Sequence, residues 1–168
     1  ETGSQLAYQP ILLGGLFKAT GNASPITIAA KGRYVLQDLA RYAKRYGVPL
    51  TFNPHFPINT LTLMRAVTGL QLHQPERFID FIDCLFLALW VDGRNLGDPA
   101  VVAQVLAEHG FDPAQVLELT QDEAVKDALK HKTEEAIARG VFGAPSLFVG
   151  QQLFFGQDRL DFVREALS

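Results

Sequence analysis

The chain of 168 residues is 48% hydrophobic and 20% charged, with 15 Lys+Arg against 18 Asp+Glu for a net charge of −3. That composition suits one soluble globular domain, or a small domain carrying an insertion, able to bury roughly 70% of its unfolded surface without a metal or disulfide staple. Charges of both signs are interspersed, which excludes a nucleic-acid footprint, and the longest apolar stretch, residues 78–91, is broken by Asp80 and Asp83, which excludes a membrane span.

The opening Glu1-Thr2-Gly3-Ser4 carries neither the charged nor the apolar region of a signal peptide, and the single cysteine, Cys84, suits a reducing compartment. Residues 5–13 mix aromatic, β-favouring and apolar side chains and stop at Gly14-Gly15, which predicts a strand. Residues 16–28 read as a loop rich in Gly, Thr, Asn, Ser and Pro, with one cation, Lys18. Val35, Leu36, Leu39, Tyr42, Ala43 and Tyr46 recur at helical spacing and predict a helix over 29–46, ended by Gly47 and Pro49. Residues 49–59 contain three prolines and read as an extended loop, with room for a short strand at 50–52.

Helices are predicted over 61–72, 75–91, 98–109, 112–120 and 122–139. The second carries Phe78, Ile79, Ile82, Leu85, Phe86, Leu89 and Trp90 on a broad face, the mark of a buried central helix. Asp98-Pro99 and Asp112-Pro113 each pair an N-cap with a proline at the first helical position. The tail changes period: a strand at 146–149, a turn at 150–152, a strand at 153–155 and a final helix opened by Gly156-Gln157-Asp158. One early strand and one hairpin make a poor sheet, because a hairpin is marginal without a third strand beside it. The order looks like a split fold lacking its first β-α unit, and predicts a further segment of about 25–30 residues before Glu1.

Several segments resemble one family in order and spacing: residues 12–22 (Leu-Leu-Gly-Gly-Leu-Phe-Lys-Ala-Thr-Gly-Asn), Lys31-Gly32-Arg33-Tyr34, residues 53–59 (Asn-Pro-His-Phe-Pro-Ile-Asn), Gly143-Ala144-Pro145-Ser146 and residues 154–160. They resemble the 2-hydroxychromene-2-carboxylate isomerases, relatives of the kappa-class glutathione transferases within the DsbA-like group. The resemblance covers nearly the whole chain. It implies an α/β, thioredoxin-like fold, with residues 1–25 and 140–168 forming the thioredoxin-like domain and 26–139 an all-helical insertion. It also implies a Ser that activates the glutathione thiol, expected before Glu1.

By the same resemblance Ala144, ahead of a cis Pro145, offers its backbone to the cysteinyl part of glutathione, where the local sequence alone reads as an ordinary proline at a strand start. Phe155, Gly156, Gln157 and Asp158 stand where a strand hands over to a helix. The helix N–H groups suit the γ-glutamyl carboxylate and the Asp158 carboxylate suits the ammonium, although Asp158 also reads as a plain N-cap. Lys18, Asn22, Asn53, Phe56 and Asn59 are the candidate substrate residues. Lys18 suits a substrate carboxylate, or is a solvated loop lysine. Where assured isomerases present Tyr and Arg, the 53–59 loop carries Phe56, Ile58 and Asn59, which suggests a more apolar pocket or simple packing. Cys84 reads as a core residue, and His55, His73, His109 and His131 lack metal-ligand spacing, so no metal is expected.

The implied function is a glutathione-dependent isomerase of a small aromatic or unsaturated carboxylate of the 2-hydroxychromene-2-carboxylate type, a cytoplasmic homodimer of aromatic catabolism, with neither nucleic-acid nor membrane partners. Glutathione adds reversibly to an unsaturated carbonyl in this family, and rotation precedes its elimination. A kappa-type transferase with another electrophile would share every binding residue named, and a non-catalytic module could use the same groove. A thiol–disulfide oxidoreductase would need a Cys pair that this chain does not contain.

Overall fold

The computed structural model describes residues 3–168. The chain divides into two compact units: the described part of Glu1–Ser24 together with Lys130–Ser168, and Pro25–Leu129.

In the first unit, residues 3–12 have no regular structure and lead into α1 (Leu13–Thr20). This corrects two expectations, a strand over 5–13 and a loop from 16. A strand needs a ladder partner, and the described strands pair only with each other. Pro10, which has no N–H to give, is buried, and the Leu12 N–H is taken by Thr133 Oγ1 at 2.9 Å. The helix forms despite Gly14 and Gly15, which cost about 1 kcal/mol each in propensity. Leu16 is fully buried on its inner face, Thr20 Oγ1 donates back to Leu16 O at 2.9 Å, and Gly21 closes the helix at φ 70°.

The hairpin is β1 (Ser146–Val149) and β2 (Gln152–Phe155), antiparallel, with Ser146 opposite Phe155 and Val149 opposite Gln152. Gly150 makes the turn at φ 57°. The Arg139 guanidinium lies over the Phe148 ring, 3.7 Å from its centroid, and donates to Gly150 O at 3.4 Å. A 3₁₀ turn, Gln157–Arg159, then runs into α8 (Leu160–Ala166), which packs on β1.

The second unit holds α2 (Ala29–Tyr46), α3 (Leu61–His73), α4 (Phe78–Trp90), α5 (Pro99–Glu108) and α6 (Pro113–Gln121); the boundary between units falls within α7 (Glu123–Ala138). Residues 50–52, a possible short strand, are irregular. The starts of α5 and α6 are as the sequence predicts: Asp98 accepts from Ala100 N and Asp112 from Ala114 N, both at 2.9 Å, with prolines at N1. The core is built on Leu63, Leu70, Phe81, Cys84, Leu106 and Val116. Phe81 meets Phe111 edge-on, centroids 5.1 Å apart at 85°, and Arg77 covers the outer face of Phe111 at 4.0 Å.

α3 and α6 pack closely because Gly69 faces α6. A Cβ on Gly69 would lie 2.8 Å from Leu119 Cβ. Gly69→Ala should therefore destabilise the fold by about 1–3 kcal/mol through overpacking, against the sign of helix propensity. Chemical denaturation followed by far-ultraviolet circular dichroism measures it.

Candidate functional site

The hairpin entry gathers the residues expected to bind glutathione. Gly143 is buried because the Phe155 ring lies on it: a Cβ there would meet Phe155 Cε2 at 2.8 Å. Phe142 stacks on the same ring, centroids 4.6 Å apart. Ser146 Oγ donates to Gly143 O at 2.8 Å and closes the turn around Ala144-Pro145, whose peptide bond is cis. On the opposite strand the Gly156 N–H donates to Pro145 O at 3.0 Å, the last rung of the hairpin.

Ala144 lies one residue beyond that rung. It is exposed, and among the described residues neither its N–H nor its C=O has a partner. Such a residue is an open pairing position for an extended peptide-like ligand. Across from Pro145, Gly156 takes φ 104° and ψ 151°, a region that favours glycine, and a Cβ there would meet Asp158 Oδ1 at 2.5 Å. That conformation turns the chain at once into the 157–159 turn. Asp158 and Arg159 follow, both partly exposed, with Asp158 Oδ2 accepting from Arg159 Nη1 at 2.7 Å. Sequence reasoning named Asp158 and missed Arg159; the signal was an acid and a base adjacent at a strand-to-helix handover. Phe142, 40% exposed beside Phe155, was missed too.

Asn22 joins this cluster from another element. Its Nδ2 donates to Phe142 O at 2.7 Å and its Oδ1 accepts from Ala23 N at 2.8 Å, so it ties the end of α1 to the loop before Gly143. Lys18 stands exposed in the last turn of α1, with no ion pair among the described residues.

The remaining three candidates lie in the helical unit. Asn53 is 5% exposed, and its amide is spent on structure: Nδ2 donates to Leu89 O and Arg94 O at 2.9 and 2.8 Å, while Oδ1 accepts from His55 N at 2.8 Å. Phe56, followed by a second cis proline bond to Pro57, packs on Trp90 with centroids 5.3 Å apart. Asn59 is exposed, its Oδ1 accepting from Leu61 N at 3.0 Å as α3 begins. Cys84 is buried in α4, where loss of solvation pushes its thiol up to about 11. Burial likewise lowers Lys132, with Glu135 opposing. Among the described residues no cluster of His, Cys, Asp or Glu is suited to a metal.

A hairpin entered through a cis proline, with a helix following its second strand and a helical unit inserted ahead of it, is a thioredoxin-like arrangement. The pattern of DSBA-like thioredoxin domains matches residues 1–168. The chain belongs to this family. This DSBA-like domain is 29% identical over 169 residues to 2-hydroxychromene-2-carboxylate isomerase from Sphingobium xenophagum, covering 99% of this chain and 85% of that protein. It is 26% identical over 176 residues to glutathione S-transferase kappa 1 of Rattus norvegicus, covering 98% and 78%. Among solved structures, a 2-hydroxychromene-2-carboxylate isomerase superposes with a TM-score of 0.82 at 26% identity, covering 96% of this chain and 78% of that one.

Two outcomes follow from these side chains. Asn53→Ala should lower stability by about 1–3 kcal/mol for each buried acceptor it leaves unpaired, measured by denaturant titration. Cys84 should resist thiol reagents at neutral pH until the protein unfolds. Its folded pKa, raised from 9.0 to about 11, adds stability that is complete below 9 and lost as pH rises toward 11. Melting temperatures across that range should fall less in Cys84→Ala.

Proposed function

We propose that this DSBA-like protein is a glutathione-dependent isomerase acting on an unsaturated aromatic carboxylate of the 2-hydroxychromene-2-carboxylate type. The observation that carries the reading is the exposed backbone of Ala144, unpaired among the described residues and one rung from a glycine-led turn that presents Asp158 and Arg159. Glutathione is a short peptide with a zwitterionic head. Its cysteinyl amide suits the N–H and C=O of Ala144, as a further rung beyond Pro145. Its ammonium suits the Asp158 carboxylate, and its head carboxylate suits Arg159 and the N–H groups of Gln157 and Asp158.

When bound, glutathione supplies a thiolate that adds to an unsaturated carbonyl and leaves again, which permits rotation about the former double bond. Cys84 cannot stand in for that thiolate, being buried and protonated at neutral pH. The chain's own contribution is positional and electrostatic. Ala144 and the 156–159 turn fix the peptide, Phe155 and Phe142 wall the hairpin entry, and Lys18 offers a point charge for the substrate carboxylate. Asn22 holds the loop that shapes this end and works as a positioning residue. A cytoplasmic homodimer of aromatic catabolism goes with this reading.

A second reading, a kappa-type transferase, is favoured by the likeness to glutathione S-transferase kappa 1 over 98% of the chain. The two differ in mass balance: isomerisation leaves the glutathione concentration unchanged, whereas transfer consumes it one for one. Calorimetric titration should show saturable glutathione binding. Asp158→Ala should weaken it by about tenfold to a hundredfold, the worth of a charge-assisted hydrogen bond. Absence of saturable binding, or Asp158→Ala binding as tightly as the parent, would overturn the proposal and leave a non-catalytic domain. With binding in hand, turnover of 2-hydroxychromene-2-carboxylate at constant glutathione selects the isomerase.

A further inference from the structure

Two helix faces of the helical unit are incompletely covered, and the glutathione reading uses neither. The first is on α2, where Val35, Leu36, Leu39, Tyr42, Ala43 and Tyr46 form one apolar stripe. Only Gly32 of this helix is buried, where it meets the 3₁₀ turn Pro25–Thr27: a Cβ on it would lie 3.3 Å from Ile26 Cα. Along the stripe the first five side chains are half-buried and Tyr46 is exposed. The second face is on α4. Ile79, Asp83 and Phe86 recur at the spacing of Val35, Leu39 and Tyr42, with Asp80 and Leu87 beside them. All five are exposed, Phe86 at 61%, and the half-buried Trp90 ends the row. Apolar side chains grouped on an exposed face mark an interaction surface.

Charge decides what covers these faces. α2 carries five cations, Lys31, Arg33, Arg41, Lys44 and Arg45, against Asp38 alone, in a chain of net charge −3. Among the described residues only Arg41 of the five has an ion pair, with Asp38 at 3.5 Å. α4 carries Asp80 and Asp83 and no cation, and neither carboxylate has an ion pair among the described residues. Two copies of α2 laid together set like charges side by side, and so do two copies of α4. Laying α2 on α4 sets opposite charges beside two apolar stripes. An anionic membrane attracts α2 but repels the two carboxylates of α4, and leaves Phe86 in water. A second copy of the chain related by a two-fold axis covers both faces at once, since each α2 meets the α4 of the other protomer.

We propose that the protein pairs with a second copy of itself through α2 of each protomer and α4 of the other, with Lys31, Arg33 and Arg45 facing Asp80 and Asp83 and with Phe86 seated on the α2 stripe. The pairing gives the homodimer of the proposed function its surfaces, and it does not rest on glutathione. Analytical ultracentrifugation of the full chain at micromolar concentration tests it. The parent should sediment at twice the mass of one chain. Asp80→Lys with Asp83→Lys should raise the dimer dissociation constant by about a hundredfold or more, and so should Lys31→Glu with Arg33→Glu and Arg45→Glu. All five positions are exposed. Mixed in equal amounts, the two charge variants should recover the double mass, because each then meets the opposite charge on the other. Phe86→Ala should weaken the parent dimer by about tenfold or more, and decides the matter should a charge variant fail to fold. A monomeric parent, charge variants that pair as the parent does, a mixture of folded variants that stays monomeric, or an unchanged dissociation constant in Phe86→Ala would each overturn the pairing. A monomeric parent that binds phosphatidylserine vesicles would assign α2 to a membrane instead. A monomer that still binds glutathione would leave the proposed reaction standing, so the two failures are distinct.

Discussion

The hydrogen bond from Gly156 N–H to Pro145 C=O is the constraint on which the candidate site depends. It extends the hairpin one step past Ser146 and Phe155 and so fixes which residues face each other where the ladder ends. Ala144 is left as an open position because the ladder stops there and proline intervenes. Opposite Pro145, Gly156 takes φ 104°, a conformation that favours glycine, and it sends the chain into the turn that carries Asp158 and Arg159. Around this rung the packing is aromatic and tight. Phe155 lies directly on Gly143, Phe142 lies on Phe155, and Asn22 holds the Phe142 carbonyl. A ligand-binding edge made of backbone needs such support, since backbone groups have no side chain of their own to steer them.

The helical unit is organised on a different principle. α5 and α6 are started by Asp-Pro pairs, α3 is spaced from α6 by Gly69 against Leu119, and the end of α4 is held by Asn53, whose buried amide answers two carbonyls and one N–H. Burying an amide is favourable only when its partners are met, and here hydrogen bonds use both its donor and its acceptor atoms.

The helices from residue 29 to 138 were legible from apolar residues at helical spacing, and α5 and α6 also from their Asp-Pro starts, although the broad face expected to bury α4 leaves Ile79 and Phe86 exposed. The hairpin was legible because its period changes from helical to alternating around a glycine turn. α1 was not: Leu13-Gly14-Gly15-Leu16 reads locally as a stop signal, and what makes it helical is the burial of Leu16 and the bond from Leu12 to Thr133, 121 residues away in sequence. Among the candidate site residues, Ala144, Pro145 and Phe155 to Asp158 were proposed from motif order, and the structure brings them together at the hairpin entry. Asn53 and Asn59 have the same composition and sit in one loop, yet one is a buried bracket and the other an exposed residue where α3 begins.

By itself, then, the sequence determined the DSBA-like family through the resemblance of its motifs, and it determined the order of the helices from α2 on, the two Asp-Pro caps and the hairpin because these rest on periodicity and on contacts between near neighbours. The tertiary structure alone decided which polar side chains are spent on structure and which remain open. It placed Asn22 on Phe142, closed Asn53 on the end of α4, joined Arg159 to Asp158 and left Ala144 without a backbone partner among the described residues. The physical reason is that a hydrogen-bonding group is free or satisfied according to what the fold brings within about 3 Å of it, and residues far apart in the chain settle that only when they meet.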